Sequence, residues 1–401
     1  MKAMRIVTAL VAAWAMTAVA ADPASTGSGA SARLTAMGAG TIVRMDGAEV
    51  LVKAMDVLPF VKNEFSDRYK FDCFSEESLK TLRKQEKLDE VVAAGKTEFD
   101  KQVLLLDWVH KRIKHFGSPP KNAPRDALGI LKGVDANQTF NCGYYAEVLR
   151  AALLSMGYVA RDIGLKGAKG DGNGSEHGVV EVWSNQYRKW IVLDPTLNLY
   201  FLKGQTPLNA FELRQEWFYK DKGKDLTIVI GKEGRKHTVA DMPIKRGTHA
   251  GFGTLALNEN SLGKFLYVSY MPATIDGKPD YGKMFITKDK LCEGVDYHTR
   301  TCPKDPATEP YWPMQQAALT LTLGAGMSVA VKADTMTPDF DKFRHRVDGG
   351  STSALPQGGK WTDGPPPADW KLHKGENTLE VQAVNKFGVE GAVSKVSLEL
   401  K

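Results

Sequence analysis

Apolar residues recur at spacings of three and four through Val103, Leu106, Val109, Ile113 and Phe116, with Leu104 and Trp108 widening the stripe. This period predicts a buried-face helix that begins near Glu98 and is stopped by Gly117 and Pro119-Pro120. Tyr145, Val148, Leu149, Ala152, Leu153 and Met156 repeat the pattern in a second helix, which opens at or just before Cys142 with Thr139 or Asn141 as its cap and ends at Gly157. Shorter apolar runs then predict strands over 158–163, 177–183 and 188–193. The glycine-rich, charged stretch 166–175 is an exposed connection between the first two.

Outside this stretch the pattern is less regular. Residues 41–60 alternate β-favouring runs with turns, and 75–94 read as helix with Leu79, Leu82 and Leu88 on its apolar side. A short helix over 208–218 and a strand over 226–230 follow the predicted hairpin. Beyond Gly247 the runs 319–323, 327–333, 378–384 and 393–400 predict short strands, with Val381, Ala383, Val396 and Leu398 facing a sandwich-like core. The expected organisation is an N-terminal extension (21–95) packed on an α+β core (96–245), and a β-rich region (246–401) of one or two sandwich-like modules.

Composition narrows the class of protein. With 401 residues, 43% hydrophobic and 25% charged, the chain is globular rather than disordered. The formal charge of +6 is scattered among acidic residues, so nucleic acid is not an expected partner. Lys2 and Arg5 precede the apolar run 6–20, which exits through Ala18-Val19-Ala20. This is the pattern of an export signal cleaved after Ala20 or Ala21. No later run is long enough to span a bilayer, so the expected location is periplasmic or secreted, with no transmembrane segment in the mature chain.

Four cysteines are too few for a disulfide-held scaffold. Cys292 and Cys302 are spaced to close one loop, and Cys73 and Cys142 are either free or a second bridge. The histidines form no zinc-spaced cluster. Asp171, Asn173 and Ser175 alternate as in a calcium loop, but Glu176 and Val182 stand where that loop needs a glycine and a bidentate acid. No metal and no cofactor is expected.

Cys142, His177 and Asp194 are the candidate chemistry. A cysteine at a helix start meets unpaired backbone donors that favour its thiolate, and an imidazole beside it can carry the proton. Each residue also has a structural reading: a small packing residue, a surface histidine and a turn-capping aspartate. Spacing links them. If Asn185 and Gln186 are the central pair of the hairpin turn, Trp183 opposes Arg188, Glu181 opposes Trp190, Val179 opposes Val192, and His177 opposes Asp194. Opposed Cβ atoms are about 4.5–5.5 Å apart, near enough for the carboxylate to orient the ring. A slip of one residue would put the two side chains on opposite faces.

Asn141-Cys142-Gly143-Tyr144-Tyr145-Ala146, followed by Gly157-Tyr158-Val159-Ala160-Arg161, resembles the nucleophile helix and next strand of the transglutaminase-like superfamily. His177-Gly178-Val179-Val180-Glu181-Val182-Trp183 is similar to its histidine strand, and Trp190-Ile191-Val192-Leu193-Asp194-Pro195-Thr196 to its aspartate strand. The helix over 103–116 resembles the one usually found upstream, so the likeness covers about residues 96–200. It implies a papain-like core with Cys142 as nucleophile, His177 as proton carrier and Asp194 as orienter. Animal-type transglutaminases often carry Gln-Cys-Trp where this chain has Asn141-Cys142-Gly143, a departure that favours a bacterial-type enzyme and hydrolysis over crosslinking.

The expected reaction is attack on an amide of a peptide or glycopeptide through a thioester, with the Cys142 N–H and a second donor from Gln138 or Asn137 on the oxyanion. Tyr144 is a candidate for the cleft mouth, Trp183 and Trp190 for a substrate groove or hairpin packing, and Arg161 and Glu176 for ionic support or strand-edge solubility. Two alternatives stand beside this reading. One is glycan hydrolysis or elimination on the same frame. The other is a non-catalytic extracellular binding protein that uses Tyr311, Trp312, Trp361 and Trp370 on glycan or protein.

Overall fold

A computed structural model describes residues 33–57, 63, 66, 77–168, 176–249, 253–270, 285–286, 303–349 and 359–401. After a single 3₁₀ turn (Leu34–Ala36), the described chain forms a hairpin of β1 (Ile42–Met45) and β2 (Ala48–Asp56). Helices α1 (Glu77–Gln85), α2 (Leu88–Val92), α3 (Glu98–Arg112), α4 (Ala127–Asp135) and α5 (Cys142–Ser155) follow. Next come β3 (Ala160–Lys166), β4 (His177–Ser184), β5 (Lys189–Leu193), β6 (Leu199–Lys203), β7 (Thr206–Pro207) and α6 (Ala210–Tyr219). The middle of the chain carries β8 (Leu226–Ile230), β9 (Arg235–Thr238), β10 (Ile244–His249), β11 (Gly253–Leu257), α7 (Glu259–Gly263), β12 (Tyr267–Tyr270) and β13 (Phe285–Ile286). The last part is all strand: β14 (Ala317–Leu323), β15 (Ser328–Thr335), β16 (Phe340–Val347), β17 (Thr362–Asp363), β18 (Asp369–Lys371), β19 (Gly375–Asn385) and β20 (Ser394–Leu400).

The fold is α+β. One hydrophobic cluster joins α3 and α5 to a five-stranded sheet ordered β13-β12-β3-β4-β5. Thr97 opens α3 through a capping box with Asp100, and Val103, Leu106, Val109 and Ile113 are buried along the expected stripe. Helix α5 is capped by Asn141, whose side chain accepts from the Gly143 N–H at 3.2 Å. It lies across β4 and β3, where Arg150 reaches Asp162 at 2.9 Å. Gly157 ends the helix in the left-handed region (φ 82°), where a side chain would run into Phe387. Its carbonyl accepts from Asn385 Nδ2 at 2.8 Å and Gln315 Nε2 at 3.3 Å, so this helix stop is also where the C-terminal strands attach.

A second cluster fills the space between a six-stranded sheet (β1-β2-β20-β19-β16-β17) and a three-stranded one (β14-β15-β18). Val381, Val396 and Leu398 belong to it, and Ala383 is buried beside them.

The boundaries expected from composition are redrawn by long-range pairing. The 21–95 segment is not one extension on the core. Its hairpin joins the C-terminal sheet, with Val52 opposite Leu398, whereas α1 packs on α5. Val50 and Val52 are both buried by this pairing, and β20 supplies an edge more than 340 residues away, which local periodicity does not register. The border at 245/246 moves as well. Strand β12 extends the core sheet by pairing with β3 (Val268 opposite Leu165), and Trp312 and Met314 fill the core cluster. The helix expected over 75–94 is broken at Lys87 (φ 51°) into α1 and α2.

The hairpin register also differs. Trp183 opposes Trp190, Glu181 opposes Val192 and Val182 opposes Ile191, because the turn takes four residues, 185–188, rather than two central ones. The shift is two positions. An even shift keeps every side chain on its face, so His177 and Asp194 still share one side, now as diagonal rather than direct neighbours.

Candidate active site

Asp194 lies just past the end of β5, in a turn closed by paired backbone bonds with Leu199 (2.9 and 3.1 Å). Its two oxygens serve different partners. Oδ1 accepts from the Leu197 N–H at 2.9 Å, and Oδ2 lies 2.8 Å from His177 Nε2. One carboxylate thus caps the turn and bonds the imidazole at once. His177 opens β4, paired on its other side with Leu165 of β3. With Nε2 committed to Asp194, Nδ1 is the ring nitrogen left for the Cys142 sulfur, to which His177 hydrogen-bonds. Cys142 is a free, half-buried thiol at the first position of α5, with Sγ 4.0 Å from the Glu176 carbonyl oxygen.

The electrostatics follow from these contacts. Burial pushes the Cys142 thiol up, but the His177 hydrogen bond and charge, with the Gly178 N–H, outweigh it and hold the thiol below its ordinary range. Burial likewise disfavours a charged His177. The Asp194 carboxylate beside it prevails, with Cys142 adding to it, and the imidazole is raised to about 10. The pair is therefore biased toward thiolate and imidazolium.

A cleft of about 540 Å³ opens over these residues, lined in part by Phe116, Asn141, Cys142, Glu176, His177 and Leu197. Several sequence candidates lie elsewhere. Trp183 and Trp190 are each 1% exposed and meet edge-to-face at 6.0 Å, the latter donating Nε1–H to the Trp312 carbonyl at 3.1 Å. They pack the hairpin instead of walling a groove. Tyr144 is buried against Phe140 and Arg125 rather than standing at the mouth. Asn137 and Gln138 turn the chain after α4, with Gln138 Oε1 against Gly133, and neither lines the cleft; Asn141 does.

Arg161 is no strand-edge residue. It is fully buried on Glu181 (2.9 and 2.7 Å). Glu176 stays exposed, 3.8 Å from Lys166. Of the aromatic residues offered for glycan contact, Trp312 and Trp370 are buried, and Tyr311 hydrogen-bonds Glu181 and Tyr270. Trp361 is half-buried beneath Arg344 and Arg346. Cys73, Cys292 and Cys302, and with them both disulfide expectations, lie outside the described residues, as do Asp171, Asn173 and Ser175. Among the described residues no group of three or more His, Cys, Asp or Glu is placed to hold a metal, and no helix is long and apolar enough to cross a membrane.

Two residues behind the Asp194 turn escaped the sequence reading. His110 of α3, half-buried and with its imidazole held below its ordinary range by that burial and the nearby Arg246, places Nδ1 3.1 Å from the Thr196 carbonyl and 3.3 Å from that of Pro195. Arg246 donates Nε–H to the Leu197 carbonyl at 2.7 Å. His110 offered one signal, a polar residue on the same helical face as Val103 and Leu106; Arg246 offered none.

The family model described as the transglutaminase-like superfamily matches residues 85–195, the span that carries α3, α5, His177 and Asp194. Among solved structures, a candidate cysteine protease from Cytophaga hutchinsonii is 15% identical, with 37% of this chain and 49% of that chain covered and a TM-score of 0.26. A candidate protease from Parabacteroides distasonis is 12% identical, with 40% and 30% covered and a TM-score of 0.21. The transglutaminase of red sea bream is 12% identical, with 82% and 60% covered and a TM-score of 0.26. The chain thus spans about half of the first protein's length and under a third of the second's. No curated protein sequence is significantly similar to it. Residues 85–195 carry the core of the transglutaminase-like superfamily.

Proposed function

We propose that the protein is an exported cysteine enzyme that hydrolyses amide bonds in peptide or glycopeptide substrates through a thioester on Cys142. The observation that carries this reading is the 2.8 Å bond from His177 to Asp194, made in the same cleft as a free cysteine at a helix start. The Cys142 sulfur attacks the amide carbonyl, forming the S–C bond. The oxyanion develops beside the Cys142 backbone N–H, with the Asn141 side-chain amide as a second donor at the cleft. His177 passes its proton to the departing amine as the C–N bond breaks. Water then gives a proton to His177 and adds to the thioester, and the C–S bond breaks to release the acid. Asp194 keeps the ring oriented through both steps. Export rests on the sequence pattern of residues 1–20, and it makes extracellular or cell-envelope peptides and glycopeptides the expected substrates.

The test is incubation with cell-envelope peptides and glycans in ¹⁸O-labelled water, followed by mass spectrometry. Hydrolysis places one heavy oxygen in the new carboxylate. Loss of ammonia with joined peptides would instead mean crosslinking, and an unsaturated sugar would mean elimination. Turnover that survives Cys142→Ala in a folded protein overturns the mechanism.

A further inference from the structure

One side of the Cys142 cleft comes from a part of the chain beyond the 85–195 match. Leu255 and Ala256 of β11, Asn258, Asn260, Ser261 and Lys264 line it. Asn258 and Ser261 are occupied in building the start of α7, with the Ser261 N–H donating to Asn258 Oδ1 at 2.9 Å. Lys264 is different. The residue is half-buried, yet its ammonium makes no ion pair or hydrogen bond among the described residues. The other charged groups that line the cleft have partners, Glu176 with Lys166 at 3.8 Å and His177 with Asp194 at 2.8 Å.

The cleft thus carries an ammonium with no counter-charge of its own, and a negative group on whatever fills the cleft would supply one. A single ammonium, with no guanidinium fork beside it, suits one carboxylate better than a phosphate. Phe116, Leu197 and Leu255 supply apolar surface for the rest of the ligand. Resting on the amide-hydrolase reading, we infer that Lys264 receives a carboxylate of the substrate and so selects peptides that are acidic next to the cleaved bond.

The test uses the full chain and two reagents of nearly equal size, iodoacetate and iodoacetamide, which differ in charge. Each forms an S–C bond to Cys142 and releases iodide, and the labelled peptide is read by mass spectrometry. Lys264→Met should lower the iodoacetate-to-iodoacetamide rate ratio by about five-fold at low salt. Lys264→Arg should keep the ratio, and the iodoacetamide rate alone should stay within about two-fold. An unchanged ratio in Lys264→Met overturns the inference even if amide hydrolysis is established. A lowered ratio supports it even if the reaction proves to be another. For peptides that turn over, acidic side chains with an amidated end are compared with neutral peptides bearing a free terminus. The set whose KM rises in Lys264→Met identifies the source of the carboxylate.

Discussion

Gly178 of β4 lies directly against Gly143 of α5: a Cβ on Gly178 would fall 3.0 Å from the Gly143 Cα and 3.2 Å from its nitrogen. The residues just before them in sequence are His177 and Cys142. Backbone therefore touches backbone right beside the imidazole and the sulfur, and the Gly178 N–H adds a hydrogen bond to the thiol.

A methyl group at Gly178 meets main chain, which cannot swing aside as a side chain would. Gly178→Ala should displace the start of β4 and slow turnover and Cys142 alkylation on the order of 100-fold. Stability should fall by about 1–3 kcal/mol from overpacking. Gly143→Ala is the control, since its Cβ would meet only Asn141 Oδ1 at an ordinary 3.6 Å. Equal activity in the two variants, measured beside their melting temperatures, would show that this contact does not set the geometry.

The double duty of Asp194 separates charge from shape. Asp194→Asn keeps an oxygen for the Leu197 N–H but presents the ring with a neutral amide, so activity should fall on the order of 10³–10⁴-fold with little change in Tm. Asp194→Ala loses both bonds and should also cost about 1–3 kcal/mol through the unsatisfied Leu197 N–H. Denaturant titration beside turnover checks the pair. An Asn variant as unstable as the Ala variant would assign the residue to the turn alone.

Local rules reached this site because its parts are local. The α3 stripe, the cap at Asn141, the stop at Gly157 and the alternation of β4 and β5 are each legible within about a dozen residues. The register was off by two because Tyr187 and Arg188 also belong to the turn, yet parity preserved the shared face of His177 and Asp194. What stayed hidden depends on distant chain. Nothing around Trp190 announces that Trp312 will meet it, nor does anything near Val50 point to β20. The far side of the cleft, from Leu255 to Lys264, lies about 60 residues past the last of the motifs and carries no pattern of its own.

Since the thiol is held low and His177 is raised to about 10, the thiolate–imidazolium pair should persist between those two values. Alkylation of Cys142 by iodoacetamide should already be at its plateau below the usual thiol range. Replacing His177 by Phe removes the two largest lowering influences and leaves burial, the largest of all, opposed only by the Gly178 N–H, so the inflection should move above the ordinary 9.0. The linkage has the sign of a raised histidine: stability is fully present below its unfolded value near 6.5 and is lost as pH climbs through about 10. The lowered thiol has the opposite sign, since unfolded it keeps its proton up to its ordinary 9.0, so the two contributions cancel between about 6.5 and 9.0 and the loss in wild-type Tm should be confined to pH above 9.0. A wild-type inflection at or above 9.0 would contradict the pairing.

Arg161 and Glu181 present the opposite case, charges buried to hold structure. Both are 0% exposed. Arg161 donates Nε–H and Nη2–H to Glu181 Oε2 and Nη1–H to the Pro310 carbonyl at 2.6 Å, with its guanidinium over the Trp190 ring at 4.1 Å. Glu181 Oε1 accepts from the Ala210 N–H at 2.8 Å and the Tyr311 hydroxyl at 3.1 Å. The pair thus fastens the core sheet to α6 and to the segment entering the C-terminal strands. Arg161→Met would strand a carboxylate out of water and should cost about 3–5 kcal/mol. Adding Glu181→Leu removes that charge and should recover part of the loss, but not all, because the Ala210 N–H and Tyr311 hydroxyl then lack their acceptor. Urea titration of the two single variants and the double variant gives the coupling. Additive losses would mean that each residue is held by its other partners and that the ion pair contributes nothing of its own.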